Sequence, residues 1–68
     1  MKELIFLVEE AVEGGYQAKA LGESIFTEAE SLNELKENIK EAVECHFDEA
    51  QMPKLVRLHI VKDELLAL

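Results

Sequence analysis

The side chains best suited to chemistry in this 68-residue chain are one cysteine, two histidines and fifteen carboxylates. Cys45 and His46 are adjacent, and His59 lies further along. Together they invite a zinc reading, but a structural zinc site needs four ligands converging tetrahedrally. Neighbouring residues on a helix point about 100° apart, and there is no second cysteine. No metal ligand is therefore expected. A nucleophilic Cys45 would need a lowered pKa, and no cationic cluster beside it in sequence would supply one. A lone cysteine also excludes an internal disulfide, so a reducing cytoplasm is the expected compartment.

Two-metal phosphodiester hydrolysis needs several carboxylates gathered on a pair of divalent ions. Glu3, Glu9 and Glu10 sit at the ends of an apolar run, and no acid occupies its middle from Leu4 to Val8. Gly14-Gly15 lacks the strand and helix context of a phosphate loop and reads as a turn. No catalytic residue and no cofactor are expected, and the chain is read as a non-enzyme.

A different group of acids carries more meaning. Glu34, Glu37, Glu41, Glu44 and Asp48 step by three and four, which makes one stripe on a helix. Leu32, Leu35, Ile39, Ala42, Val43 and His46 step the same way on the opposite side. Glu37 and Glu41 repel at i,i+4, and Lys36 and Lys40 toward the edge of the apolar face relieve only part of this. A stripe that costs the helix some tenths of a kcal/mol is expected to face a cationic partner rather than only water. His46, on the apolar side near the helix end, is expected to be packed and hydrogen-bonded.

The charge balance agrees. Seven basic and fifteen acidic residues give a net charge of −8 on 7.7 kDa. That disfavours direct nucleic-acid binding, which rests on cations meeting phosphates, and favours solubility and fast capture of a basic protein. The apolar share of 49% is that of a globular chain. No apolar run nears the roughly 18 residues of a membrane span. The N-terminal stretch lacks a small-residue cleavage site and reads as a strand, not a secretion signal. One domain over residues 1–68 is expected, with a core so small that self-association or a partner would add needed stability.

The elements that must position these residues can be read in order. Glu3 to Ala11 is a strand ending at Glu13-Gly14-Gly15, whose glycines suit a tight hairpin. Tyr16 to Leu21 returns, Gly22-Glu23-Ser24 turns again, and Ile25 to Glu28 completes an antiparallel meander. Ser31-Leu32-Asn33-Glu34 fits a capping box for a helix running to Phe47 or Ala50. Pro53 bounds a last strand, Leu55 to Val61, with Leu55, Arg57 and His59 on the face away from the helix. The first strand is apolar on both faces, Ile5 and Leu7 on one, Leu4, Phe6 and Val8 on the other. A half-solvated sheet should alternate more cleanly. Leu4, Phe6 and Val8, with Leu55, Arg57 and His59, are therefore the expected contact between copies in at least a dimer. The apolar tail, Asp63 to Leu68, is expected to pack on this domain or on a neighbour. The fold class is α+β, β-β-β-α-β, with one helix on one face of a small antiparallel-rich sheet.

With these residues in place, the chain resembles the HicB-like antitoxin family. That family shows an acidic residue before Gly-Gly-Tyr, a turn, and then Thr-Leu-x-Glu-Ala-x-x-Asn-x-x-Glu-Ala. Here Gly14, Gly15 and Tyr16 match the hairpin, and Leu32, Glu34, Asn38, Glu41 and Ala42 match the helix. The likeness covers residues 3–47 and is that of a short, solitary, UPF0150-type member. It implies a partial ribonuclease H-like fold without nuclease activity. It also implies a cytoplasmic toxin–antitoxin partnership, in which a small basic ribonuclease toxin is neutralised by occlusion of its RNA-binding surface. The family's Pro-x-Leu-Pro-Gly-Cys stretch is replaced by Ala20-Leu21-Gly22-Glu23-Ser24, and no DNA-binding domain is expected after Leu68. The expected function is a non-enzymatic interaction module with Glu34, Glu37, Glu41, Glu44 and Asp48 as its docking face. The alternative is a stand-alone oligomeric structural or regulatory protein.

Overall fold

In the computed structural model, which describes residues 2–68, the alternating apolar run Glu3–Glu10 forms strand β1. Tyr16–Ala20 forms β2 and Phe26–Ala29 forms β3, and the three make the antiparallel meander expected from the turns. Helix α1 spans Leu32–His46 and β4 spans Leu55–Val61. The sheet order is β3-β2-β1-β4, and β4 runs parallel to β1. The parallel pairing follows from the connection. The chain crosses the sheet through α1 and re-enters at the start of β1, where the Lys54 and Leu55 amides both donate to the Lys2 carbonyl at 3.0 Å. The fold is thus α+β, one helix on a mixed four-stranded sheet.

The β1–β2 turn depends on its glycines. Gly14 N–H donates to the Ala11 carbonyl at 3.0 Å and Ala11 N–H to the Gly15 carbonyl at 2.9 Å. Both glycines have positive φ, 102° and 83°. Gly15 has a second constraint, because a Cβ there would lie 2.9 Å from the Ala29 carbonyl oxygen of β3.

One face of β1 makes the floor of the core. Leu4, Phe6 and Val8 are buried, with Phe6 and Val8 sealed completely, and so are Ala18 and Ala20 of β2. Phe6 lies opposite Ala20 and Val8 opposite Ala18. The alanines leave a shallow trough beside the large β1 side chains, and Leu35, Ile39 and Val43 of α1 fill it. Leu4, Phe6 and Val8 therefore lie under the helix and not at the contact between copies expected from a strand apolar on both faces. Apolarity on both faces of β1 does not say which face the helix covers. The small residues on β2 decide that, because only they let a helix come close.

The other face of β1 carries Ile5 and Leu7, both half-buried. It also carries a cross-strand pair: Arg57 Nε donates to Glu3 Oε1 at 2.6 Å and Nη2 to Oε2 at 3.3 Å. Arg57, expected at an intermolecular contact, thus has a carboxylate partner within its own chain. Leu55 and His59 share this outer face and are exposed.

Ser31 caps α1 as expected, its hydroxyl accepting from Glu34 N–H at 3.1 Å. The helix stops sooner than the stripe suggested. Phe47 is extended, with φ −108° and ψ 144°, and its N–H closes onto the Val43 carbonyl at 3.1 Å.

Gly15→Ala should lower stability by roughly 1–3 kcal/mol from backbone strain alone, with the Ala29 clash added. Gly14→Ala meets open space and should cost less. Urea unfolding followed by circular dichroism ranks the two, and an equal or reversed ranking would remove the close approach as a constraint.

Candidate functional site

Glu34, Glu37, Glu41 and Glu44 are all exposed along α1. At about 100° per residue they centre on the side directly opposite the buried row Leu35, Ile39 and Val43. Among the described residues the ion pairs are Arg57–Glu3 and the contact of His46 with Glu23, so none of the four helix glutamates has a cation within bonding distance. They form a bare ridge of negative charge with no packing role. Lys36 and Lys40 are exposed on the flank that faces β4 and do not fold over the ridge.

Asp48 does not belong to this ridge. It lies past the helix end, and its Oδ1 accepts from the Gln51 amide at 2.9 Å while its carbonyl accepts from the same amide at 3.1 Å. The three-and-four spacing continued through position 48, but the backbone did not. Asp48 ties down the turn leading to Pro53.

His46 was expected to be packed and hydrogen-bonded, and the structure gives half of this. Its Nε2 lies 3.0 Å from Glu23 Oε1, which fastens the helix end to the β2–β3 turn. Its ring meets the edge of Phe47 at 4.8 Å between centroids, and the side chain is 37% exposed, at the surface and outside the core. Cys45 is exposed on α1, and His59 is exposed on the far side of the sheet, opposite Leu7. The sheet separates these two side chains. Among the described residues no three His, Cys, Asp or Glu side chains gather as metal ligands. Glu3 is engaged with Arg57, while Glu9 and Glu10 lie exposed at the other end of β1.

Three features emerge only in the fold. Asn38 Nδ2 donates to the Glu28 carbonyl at 3.2 Å and fastens α1 to β3. Asn38 matched the helix signature, which was the available signal. The β1–β2 hairpin end collects further acids, with Glu28, Glu30 and Glu34 around an open cleft of about 340 Å³ beside Gly15 and Tyr16. Finally, a mostly apolar groove of about 260 Å³ runs between α1 and β4. Finding it required the sheet order. No helix among the described residues is long and apolar enough to cross a membrane.

The sequence is 65% identical over 52 residues to a UPF0150 protein of Archaeoglobus fulgidus, covering 76% of this chain and 77% of that protein. It is 47% identical over 66 residues to a UPF0150 protein of Thermotoga maritima, covering 97% of this chain and 93% of that one. No family model matches the sequence, and no solved structure matches it.

Two outcomes are expected from these electrostatics. Glu37→Gln removes like-charge contacts at i,i−3 and i,i+4. It should raise stability by some tenths of a kcal/mol at low salt, with the gain fading at high salt. Thermal unfolding at two ionic strengths tests it, and a loss of stability would show that Glu37 has a structural partner. The second concerns Glu3. The hydrogen bonds from Arg57 hold its carboxyl below the usual value; slight desolvation opposes this and the Arg57 charge adds to it. A depressed folded-state pKa gives stability that is present above the unfolded value and is lost as pH falls through the folded one. Glu3→Gln should therefore be less stable than the parent at neutral pH, and the gap should close in acid. Urea midpoints measured from neutral to acid read this directly, and a gap independent of pH would remove the ion pair as its cause.

Proposed function

The chain belongs to the UPF0150 family, and from that premise we propose that it is a non-enzymatic HicB-like interaction module that docks a small basic protein. The observation that carries this reading is the ridge of Glu34, Glu37, Glu41 and Glu44, exposed, without cationic partners and opposite the core. A row of like charges costs the helix and supports nothing inside the molecule. It suits a cationic surface that meets it from outside. The match of Gly14, Gly15, Tyr16, Leu32, Glu34, Asn38, Glu41 and Ala42 to the HicB-like pattern supports a partner of one class, a small basic ribonuclease toxin of the cytoplasm.

The mechanism needs no bond chemistry. A net charge of −8 draws a cationic partner into encounter faster than an uncharged surface would. The ridge then occupies the basic surface that would hold RNA phosphates, and the partner is silenced by occlusion. The competing reading, a stand-alone oligomeric structural or regulatory protein, draws on exposed Leu55, Val56 and Ile60 of β4. Apolar side chains of this kind on an edge strand favour contact with another chain.

The test is co-expression with any small basic protein encoded beside this chain's gene. The parent should restore growth and co-purify with it. E34Q/E37Q/E41Q/E44Q should bind at least about tenfold more weakly at low salt, with the difference shrinking as salt rises. Equal silencing by the parent and this variant would end the assignment of the ridge, and a basic neighbour left fully active by the parent would end the antitoxin reading.

A further inference from the structure

β4 is an edge strand, so its outward backbone groups lack a strand partner. Its helix-side face is also incompletely covered. Val56 and Ile60 stay exposed and Leu58 half-buried, although all three share the face of Leu4, Phe6 and Val8. The uncovered strip is the groove against α1, walled by Ile39 and by the cationic Lys36 and Lys40. At about 260 Å³ it falls below the roughly 300–1,000 Å³ of small-molecule sites and suits a few apolar side chains.

The same chain carries a segment of matching chemistry. Beyond β4 the tail Lys62–Leu68 has no regular structure, and Leu65, Leu66 and Leu68 are almost wholly exposed. Asp63 and Glu64 precede them. The tail does not reach its own groove. It leaves from Val61 beside Glu9, and Leu65 lies near Glu10 and Val12. The groove sits at Val56 and Leu58, toward the other end of the strand and roughly 10–16 Å back along it. The tail instead extends a molecule that measures 52 Å along one axis and 19 × 17 Å across.

We propose that the tail of a second copy adds as a fifth strand along the free edge of β4 and closes this groove. Strand alternation places Glu64, Leu66 and Leu68 on one face of the tail. Leu66 and Leu68 lie over Val56 and Leu58, and Glu64 meets Lys36 and Lys40. Backbone hydrogen bonds at the edge supply affinity and the alternating side chains supply fit, as in other strand additions. If each copy lends its tail to the other, the contact is self-complementary and closes as a two-fold dimer. The occupant is a copy of this chain because its tail brings Glu64 to the lysines and Leu66 and Leu68 to the apolar strip.

Light scattering on the 68-residue chain at micromolar concentration is the first test, with a dimer expected. L66D/L68D should be folded by circular dichroism, since both positions are exposed, and monomeric. K36E/K40E should weaken the dimer about tenfold or more, and adding E64K should restore a measurable part of it. A disulfide trap then identifies whose tail is bound. V56C/L66C in a Cys45→Ser background should oxidise to a covalent dimer. A parent that remains monomeric, a dimer indifferent to both the tail and the lysine changes, or a monomer closed by its own disulfide would each overturn the proposal. None of these substitutions touches the four helix glutamates, so this result and that of the partner-binding test are read separately.

Discussion

The shallow trough on the sheet governs everything else in the molecule. Ala18 and Ala20 on β2 stand beside Val8 and Phe6 on β1, and only over that trough does a helix come close enough to bury Leu35, Ile39 and Val43. Nine buried apolar residues make the core, with no buried polar group among the described residues. In so small a domain there is little to spare. Hydrophobic burial barely exceeds the entropy of ordering the chain, so both the position and the rotation of α1 are set by this one contact.

The surface follows from that rotation. With one side of α1 committed to the trough, the opposite side must present Glu34, Glu37, Glu41 and Glu44 to water. Lys36 and Lys40 are carried to the β4 flank, and Asn38 to the β3 side, where it bonds the Glu28 carbonyl. The helix thus separates charge, with a negative crest and a positive shoulder above an apolar strip. Crest and shoulder suit different neighbours. The crest suits a cationic protein, and the shoulder with its strip suits an acidic, leucine-rich strand.

The sheet is asymmetric for a related reason. The helix lies toward the meander side and leaves β4 thinly covered. β4 is held to β1 by its parallel ladder and by the Arg57–Glu3 pair on the outer face. An edge strand with Leu55, Val56 and Ile60 exposed is an invitation to pairing. Here it belongs to a chain whose own tail is too apolar to be at ease in water.

The sequence by itself determined the elements and their ends wherever a local rule operates. The glycine hairpin, the Ser31 cap, the three-and-four apolar period and the final strand from Leu55 to Val61 were all legible, because turns, caps and periodicity depend on neighbours along the chain. The ridge of four glutamates was legible for the same reason. Asp48 keeps the spacing but leaves the ridge, because periodicity does not show where the backbone leaves the helix. Only the tertiary structure decided the rest. It chose which apolar face of β1 the helix covers, turned Leu4, Phe6 and Val8 from surface candidates into core, ran β4 parallel at the edge and opened the groove beside it. Those outcomes depend on which side chains meet across strands far apart in sequence, and a periodic pattern carries no information about that.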